Sequence, residues 1–168
     1  MFNKLLLTLP FVLGVLSNPV QIRATVPDNF TLYAYGSSSS SGIGGLPVLA
    51  LDGLAYIVDL TTETSAQNVT FDLTSSTFTG TTSDGVESLL YIPSTSGPVG
   101  FTTTTSDSSK VTSGFGFYGG VAYCYTQDAI STLWYAVPTE QSGLWQLTWD
   151  SDSDAAIVVA LRDNAPSS

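Results

Sequence analysis

Six carboxylates could supply a pair of acids across a glycosidic bond: Asp52, Asp59, Glu63, Asp84, Glu87 and Asp128. Glycoside hydrolysis needs only two, one as general acid and one as nucleophile or base. Most of the six fall at predicted turns or strand ends, where solvation alone accounts for them, so an acid-pair glycosidase ranks last among the functions considered. The chain has no histidine. Ser-His-Asp and Cys-His mechanisms are therefore absent, as are the common zinc sites. Asp150-Ser151-Asp152-Ser153-Asp154 alternates oxygens as a calcium loop does, but Ala155 stands where the loop glycine belongs and Leu161 where its bidentate acid belongs. An acidic turn is the simpler expectation. There is no phosphate-cradling Gly-rich motif with a lysine. The residues predict no enzyme, no cofactor and no metal.

Binding chemistry is better provided for. Sugars are held by an exposed aromatic face beside Asp, Asn or Gln. Alternation puts Tyr33 with Tyr35, and Tyr123 with Tyr125, on matching faces, which suits a structural role. The three tryptophans, Trp134, Trp145 and Trp149, all lie in the last third of the chain. Trp145 and Trp149 share a strand face with Leu147, a predicted core residue. Trp134 escapes that constraint. The candidate ligand site is therefore Trp134, with Gln146 and Asp128 as polar neighbours, and the expected ligand is a polysaccharide.

The elements that must position these residues are strands. Short runs rich in Val, Ile, Thr, Tyr, Phe and Trp are split by Gly, Ser, Pro and Asp. Twelve strands are predicted, at 30–35, 47–51, 54–59, 69–73, 77–81, 88–92, 99–104, 115–118, 121–126, 133–137, 144–149 and 156–161. Three segments can be laid over one another. Tyr33-Ala34-Tyr35-Gly36, Thr77-Phe78-Thr79-Gly80 and Tyr123-Cys124-Tyr125-Thr126 each begin 20 residues before a turn glycine: Gly53, Gly97 and Gly143. Eighteen residues past each glycine stand Phe71, Phe115 and Leu161, so the repeats are 44 and 46 residues apart. Three four-stranded repeats predict an all-β chain folded as a β-trefoil, with a β-sandwich as the alternative. Cys124, the sole cysteine, falls where the first repeat has Ala34 and should be a small buried residue.

Residues 1–24 resemble a signal peptide. Lys4 precedes an apolar run over residues 5–16, too short to span a bilayer. A single all-β domain is expected over 25–168. That segment carries Lys110 and Arg162 against 14 carboxylates, a net charge of −12. Nucleic acid and anionic lipid are disfavoured by such a field, and self-repulsion favours a soluble monomer. Asn29-Phe30-Thr31 and Asn68-Val69-Thr70 are N-glycosylation acceptors, so Asn29 and Asn68 should face solvent.

Several of these stretches resemble a family of small secreted proteins of ascomycete fungi: Phe30-Thr31-Leu32-Tyr33-Ala34-Tyr35-Gly36, Gly45-Leu46-Pro47, Asp52-Gly53-Leu54-Ala55-Tyr56-Ile57, Gly114-Phe115-Gly116-Phe117-Tyr118-Gly119 and Leu133-Trp134-Tyr135-Ala136. The resemblance spans nearly all of 25–168 and implies a secreted, extracellular fungal protein without assigning an activity. The Gln-x-Trp that ricin-type lectins carry in each repeat is missing, since Gln146 is followed by Leu147-Thr148-Trp149. The expectation is a secreted, non-enzymatic binding module for a cell-wall or host-surface carbohydrate. The alternative is an apoplastic effector or inhibitor that binds a host surface protein.

Overall fold

The computed structural model describes residues 28–38, 41–62, 64–126 and 128–167. The expected leader, residues 1–24, and Glu63 lie outside the described residues.

Fifteen strands form among the described residues, in the order β1 (Tyr33–Gly36), β2 (Gly44–Leu51), β3 (Leu54–Val58), β4 (Gln67–Thr74), β5 (Thr77–Thr82), β6 (Glu87–Pro93), β7 (Gly97–Pro98), β8 (Gly100–Thr102), β9 (Lys110–Val111), β10 (Phe115–Tyr118), β11 (Val121–Thr126), β12 (Ala129–Ser131), β13 (Trp134–Pro138), β14 (Leu144–Trp149) and β15 (Ile157–Arg162). The expected strand at 99–104 is replaced by β7 and β8, which flank Val99. Strands β9 and β12 have no counterpart among the expected strands. Two-residue and three-residue strands carry too little alternation to be read from sequence. No helix of the described residues is long and apolar enough to cross a membrane.

The protein is all-β, and its antiparallel ladders close. Following the hydrogen bonds from β1 through β2, β4, β5, β6, β8, β3, β14, β13 and β15 returns to β1, a barrel of ten strands. Closure leaves few open edges for other chains to pair with. One of the two-residue turns is plainly marked in the sequence. Asp52 (φ 51°) and Gly53 (φ 78°) join β2 to β3 with Leu51 opposite Leu54. This is the double positive-φ turn whose twist matches a hairpin.

Three antiparallel strand pairs carry the core. Phe71 faces Gly80 across β4–β5, Phe115 faces Cys124 across β10–β11, and Leu161 faces Ala34 across β15–β1. Each pairs a large buried side chain with a small residue. Phe71, Phe115 and Leu161 are all buried, as expected from their spacing. The second repeat, however, is slipped by two residues from the sequence alignment. Gly80, not Phe78, takes the place of Ala34 and Cys124, and Phe78 lies opposite Leu73. A slip of two keeps every inward side chain inward, so alternation cannot detect it. Packing detects it readily. A Cβ on Gly80 would lie 2.8 Å from Val69 Cγ1 and 3.2 Å from Phe101 Cε1.

Further main-chain bonds join these strand pairs. Phe30 N–H donates to Phe71 O at 2.9 Å, and Phe71 N–H donates to Phe30 O at 2.7 Å. Phe115 N–H donates to Ser76 O at 2.9 Å, and Val121 pairs with Arg162. At the other end β3, β7–β8 and β14 meet in a triangle. Ala55 N–H donates to Val99 O, Val99 N–H donates to Leu147 O, and Gln146 is registered with Tyr56. The rings of Phe30, Phe71, Phe78, Phe115 and Phe117 interlock between these layers at centroid separations of 5.2–6.3 Å. Complete burial of one such ring contributes about 1.5–3 kcal/mol.

Candidate interaction surface

The sequence predicts that Trp134 presents its face to a ligand. It is fully buried instead. Its indole N–H donates to Ala122 O at 2.8 Å, and its ring stacks on Phe115 at 6.4 Å and meets Trp149 edge-on at 4.8 Å. Gln146 is half-buried, and its amide donates to Ala55 O at 2.8 Å and to Leu147 O at 3.1 Å. Asp128 is exposed in the turn between β11 and β12, at φ 64°. Asp is among the few non-glycine residues that tolerate this conformation. The three residues therefore do not form a site. One is a core pillar, one ties strands together, and one shapes a turn.

The exposed aromatic surface lies directly above the pillar. Strands β10, β11 and β12 form a meander whose inward positions are Phe115, Phe117, Ala122 and Cys124. Its outward positions are Tyr118, Val121, Tyr123, Tyr125 and Ile130. Tyr118 is 79% exposed, Ile130 58% and Tyr125 53%. Tyr125 and Ile130 are direct cross-strand partners. Tyr123 lies half-buried across its own partner Gly116, where an added Cβ would sit 2.5 Å from the Tyr123 hydroxyl oxygen. Glycine at 116 thus lets the Tyr123 ring lie flat on the sheet. Among the described residues seven large apolar side chains are exposed, and four of them, Tyr118, Tyr125, Ile130 and Leu133, come from this one stretch. That concentration separates the face from scattered surface hydrophobics.

The same region is also poor in charge. Between Lys110 and Glu140 the only Asp, Glu, Lys or Arg is Asp128, in a chain with 14 acids. The expectation that Tyr125 is structural is corrected here, because its partner across the sheet is a solvent-facing strand rather than core. The charge gap alone could not have found the face, because residues 29–51 and 88–106 carry no charge either; the signal is the gap together with Tyr118, Tyr123 and Tyr125.

Asn29 and Asn68 are exposed, as expected of glycosylation acceptors. Asp59 accepts hydrogen bonds from the Thr61 N–H and hydroxyl, which hold its carboxyl below the usual range. The Thr82 hydroxyl does the same for Asp84, with help from the Val86 N–H and Gln67. A general acid needs the opposite shift. Among the described residues no three His, Cys, Asp or Glu side chains converge as metal ligands.

Cys124 is buried beside Ser113 O at 3.8 Å, and burial pushes its thiol up from 9.0 to about 11. The native thiol should therefore resist iodoacetamide until the protein unfolds. The folded state favours the neutral form. Its contribution is complete below the unfolded thiol's pKa and is lost as pH rises from 9.0 towards about 11. Urea midpoints measured across that window should fall further for the parent than for Cys124→Ala.

No family model, curated protein or solved structure matches this chain.

Proposed function

We propose that this protein is a secreted, non-enzymatic interaction module of β-trefoil topology, acting outside the cell by docking the tyrosine face of β10–β12 onto a partner protein. The observation that carries this is the concentration of exposed Tyr118, Tyr125 and Ile130 on one sheet face, in a segment between Lys110 and Glu140 whose only charged residue is Asp128. Interface centres are depleted in charge and enriched in Tyr, while their rims are polar. A sugar would need several fixed donors and acceptors. The outward residues Tyr118, Val121, Tyr123, Tyr125 and Ile130 offer mostly apolar area, which suits a protein better.

Three features support the trefoil. The β4–β5, β10–β11 and β15–β1 strand pairs carry matched large–small pairs. Main-chain contacts link each of these strand pairs to the next. The β2–β3, β6–β8 and β13–β14 pairs meet through Ala55, Val99 and Leu147. Secretion is supported by the short apolar run that follows Lys4 and by the resemblance to secreted fungal proteins.

The rest of the molecule is strongly acidic, so the partner should carry basic residues around an apolar centre. Binding should weaken as salt rises. The test is affinity for extracellular proteins of the host or habitat, compared between the parent and Tyr118→Ala and Tyr125→Ala. Each truncation should weaken the captured complex about 30-fold, the factor that corresponds to a loss of about 2 kcal/mol at a central tyrosine. Equal affinity of both variants and the parent would refute the proposal.

A further inference from the structure

A second site lies away from the tyrosine face, where the β2–β3 turn, the start of β4, the β5–β6 turn and β8 surround a groove of about 630 Å³. Its polar lining includes Asp52, Gln67, Thr82, Asp84, Ser88 and Thr102, and its apolar lining includes Leu51, Val86 and Phe101. We infer that this groove binds a neutral carbohydrate, with the Asp84 carboxylate accepting from ligand hydroxyls and Phe101 and Val86 meeting the C–H face of a sugar ring.

The groove is built rather than incidental. Asp84 is oriented by three donors: the Thr82 hydroxyl in a short bond, the Gln67 amide at 3.4 Å and the Val86 N–H at 3.5 Å. The carboxylate stays ionised in mildly acidic surroundings, because those donors hold its pKa down. About four lone-pair sites shared by these donors leave capacity for a ligand hydroxyl. The Phe101 residue is fixed from two sides. Its ring stacks on Phe71 at 6.2 Å, and its N–H donates to Gly53 O at 2.9 Å. That bond draws the Asp52-Gly53 turn against β8, and the approach requires glycine at 100. A Cβ there would lie 2.7 Å from Gly53 O. Gly80 opens the space that the Phe101 edge occupies.

The chemistry selects the ligand class. The lining has no lysine or arginine, so an anion has no counter-charge. It mixes hydroxyls, an amide and carboxylates with one aromatic and one exposed aliphatic side chain. This combination matches the alternating hydroxyls and apolar faces of a pyranose. Two carboxylates with no third ligand nearby do not make a metal site. A cationic peptide is the competing occupant, because both carboxylates are negative.

The experiment is NMR titration of the whole protein with neutral hexasaccharides of β-1,4-glucan, β-1,3-glucan, β-1,4-xylan, β-1,4-N-acetylglucosamine and α-mannan, and separately with pentalysine. At least one neutral hexasaccharide should shift the amides of Asp52, Gly85 and Thr102. Asp84→Asn should weaken that binding about tenfold, the effect of losing one charge-assisted hydrogen bond. Thr102→Ala, which leaves the β5–β6 turn untouched, should weaken it too. Tyr125→Ala should leave it unchanged, which separates this site from the protein-docking face. Shifts with pentalysine alone, shifts with no probe, or sugar binding indifferent to both groove variants would each overturn the inference.

Discussion

Trp134→Ala should lower stability by about 3–5 kcal/mol, the range for removing a fully buried large aromatic side chain. A single domain of this size has only about 5–15 kcal/mol in total, so the variant should be partly unfolded on modest warming. Two losses add together. The first is the packing against Phe115 and Trp149, which are 6.4 Å and 4.8 Å from the Trp134 ring. The second is the indole N–H donated to Ala122 O at 2.8 Å. Trp134→Phe separates them, since it keeps most of the aromatic packing and drops the donor. Its cost should be about 1–2 kcal/mol. Urea unfolding followed by tryptophan fluorescence and circular dichroism reads both. A Trp134→Ala protein as stable as the parent would mean that the side chain is not the pillar under β11.

Phe115→Ala should be nearly as damaging, at about 3–5 kcal/mol. With a urea slope of about 1–3 kcal/mol per molar, the midpoint should drop by roughly one to several molar. Phe115 is 2% exposed and stacks between Phe78, at 5.2 Å, and Trp134. It also faces the small Cys124 across β10–β11, whose side chain is too short to fill the vacated space. Because Phe115 and Trp134 touch, the double variant should cost less than the two single costs added together. If Phe115→Ala unfolds at the same urea concentration as the parent, the equivalence of Phe71, Phe115 and Leu161 is wrong.

Those three residues show what is legible in the sequence. Their spacing from turn glycines places them on matching strands, and all three are buried. Period-two alternation locates β10, β11 and β14 to the residue. It fails in the second repeat because sliding a strand by two residues leaves its pattern unchanged, and only the crowding around Gly80 distinguishes the registers. Symmetry fails for Trp134 for a related reason. Trp134 has no counterpart in the other repeats, which suggests a surface role. Yet the third repeat has Ala122 on its inward face, and the large indole packs beneath it, bonded to its carbonyl. A residue that breaks a repeat can be compensating for a small one.

The tyrosine face is hidden by the same symmetry. Tyr123 and Tyr125 match Tyr33 and Tyr35 in pattern, but Arg162 stacks over the Tyr35 ring at 5.3 Å whereas Tyr125 stands open beside Ile130. The difference comes from tertiary neighbours, which no local pattern encodes. The interval from Lys110 to Glu140, broken by no charge except Asp128, is visible in the sequence, but residues 29–51 and 88–106 are as poor in charge, so only its tyrosines set it apart.

Photo-crosslinking tests the docking face most directly. The crosslinker benzoylphenylalanine is placed at position 125, and as a control at position 152, where Asp152 is exposed on the loop before β15. Each protein is irradiated with extracellular proteins of the host or habitat. The account predicts a discrete protein adduct from position 125 and none from position 152. Excess unlabelled parent should suppress that adduct, while excess Tyr118→Ala should suppress it far less. Adducts of equal yield from both positions, adducts from position 152 alone, or no adduct from position 125 would contradict the account.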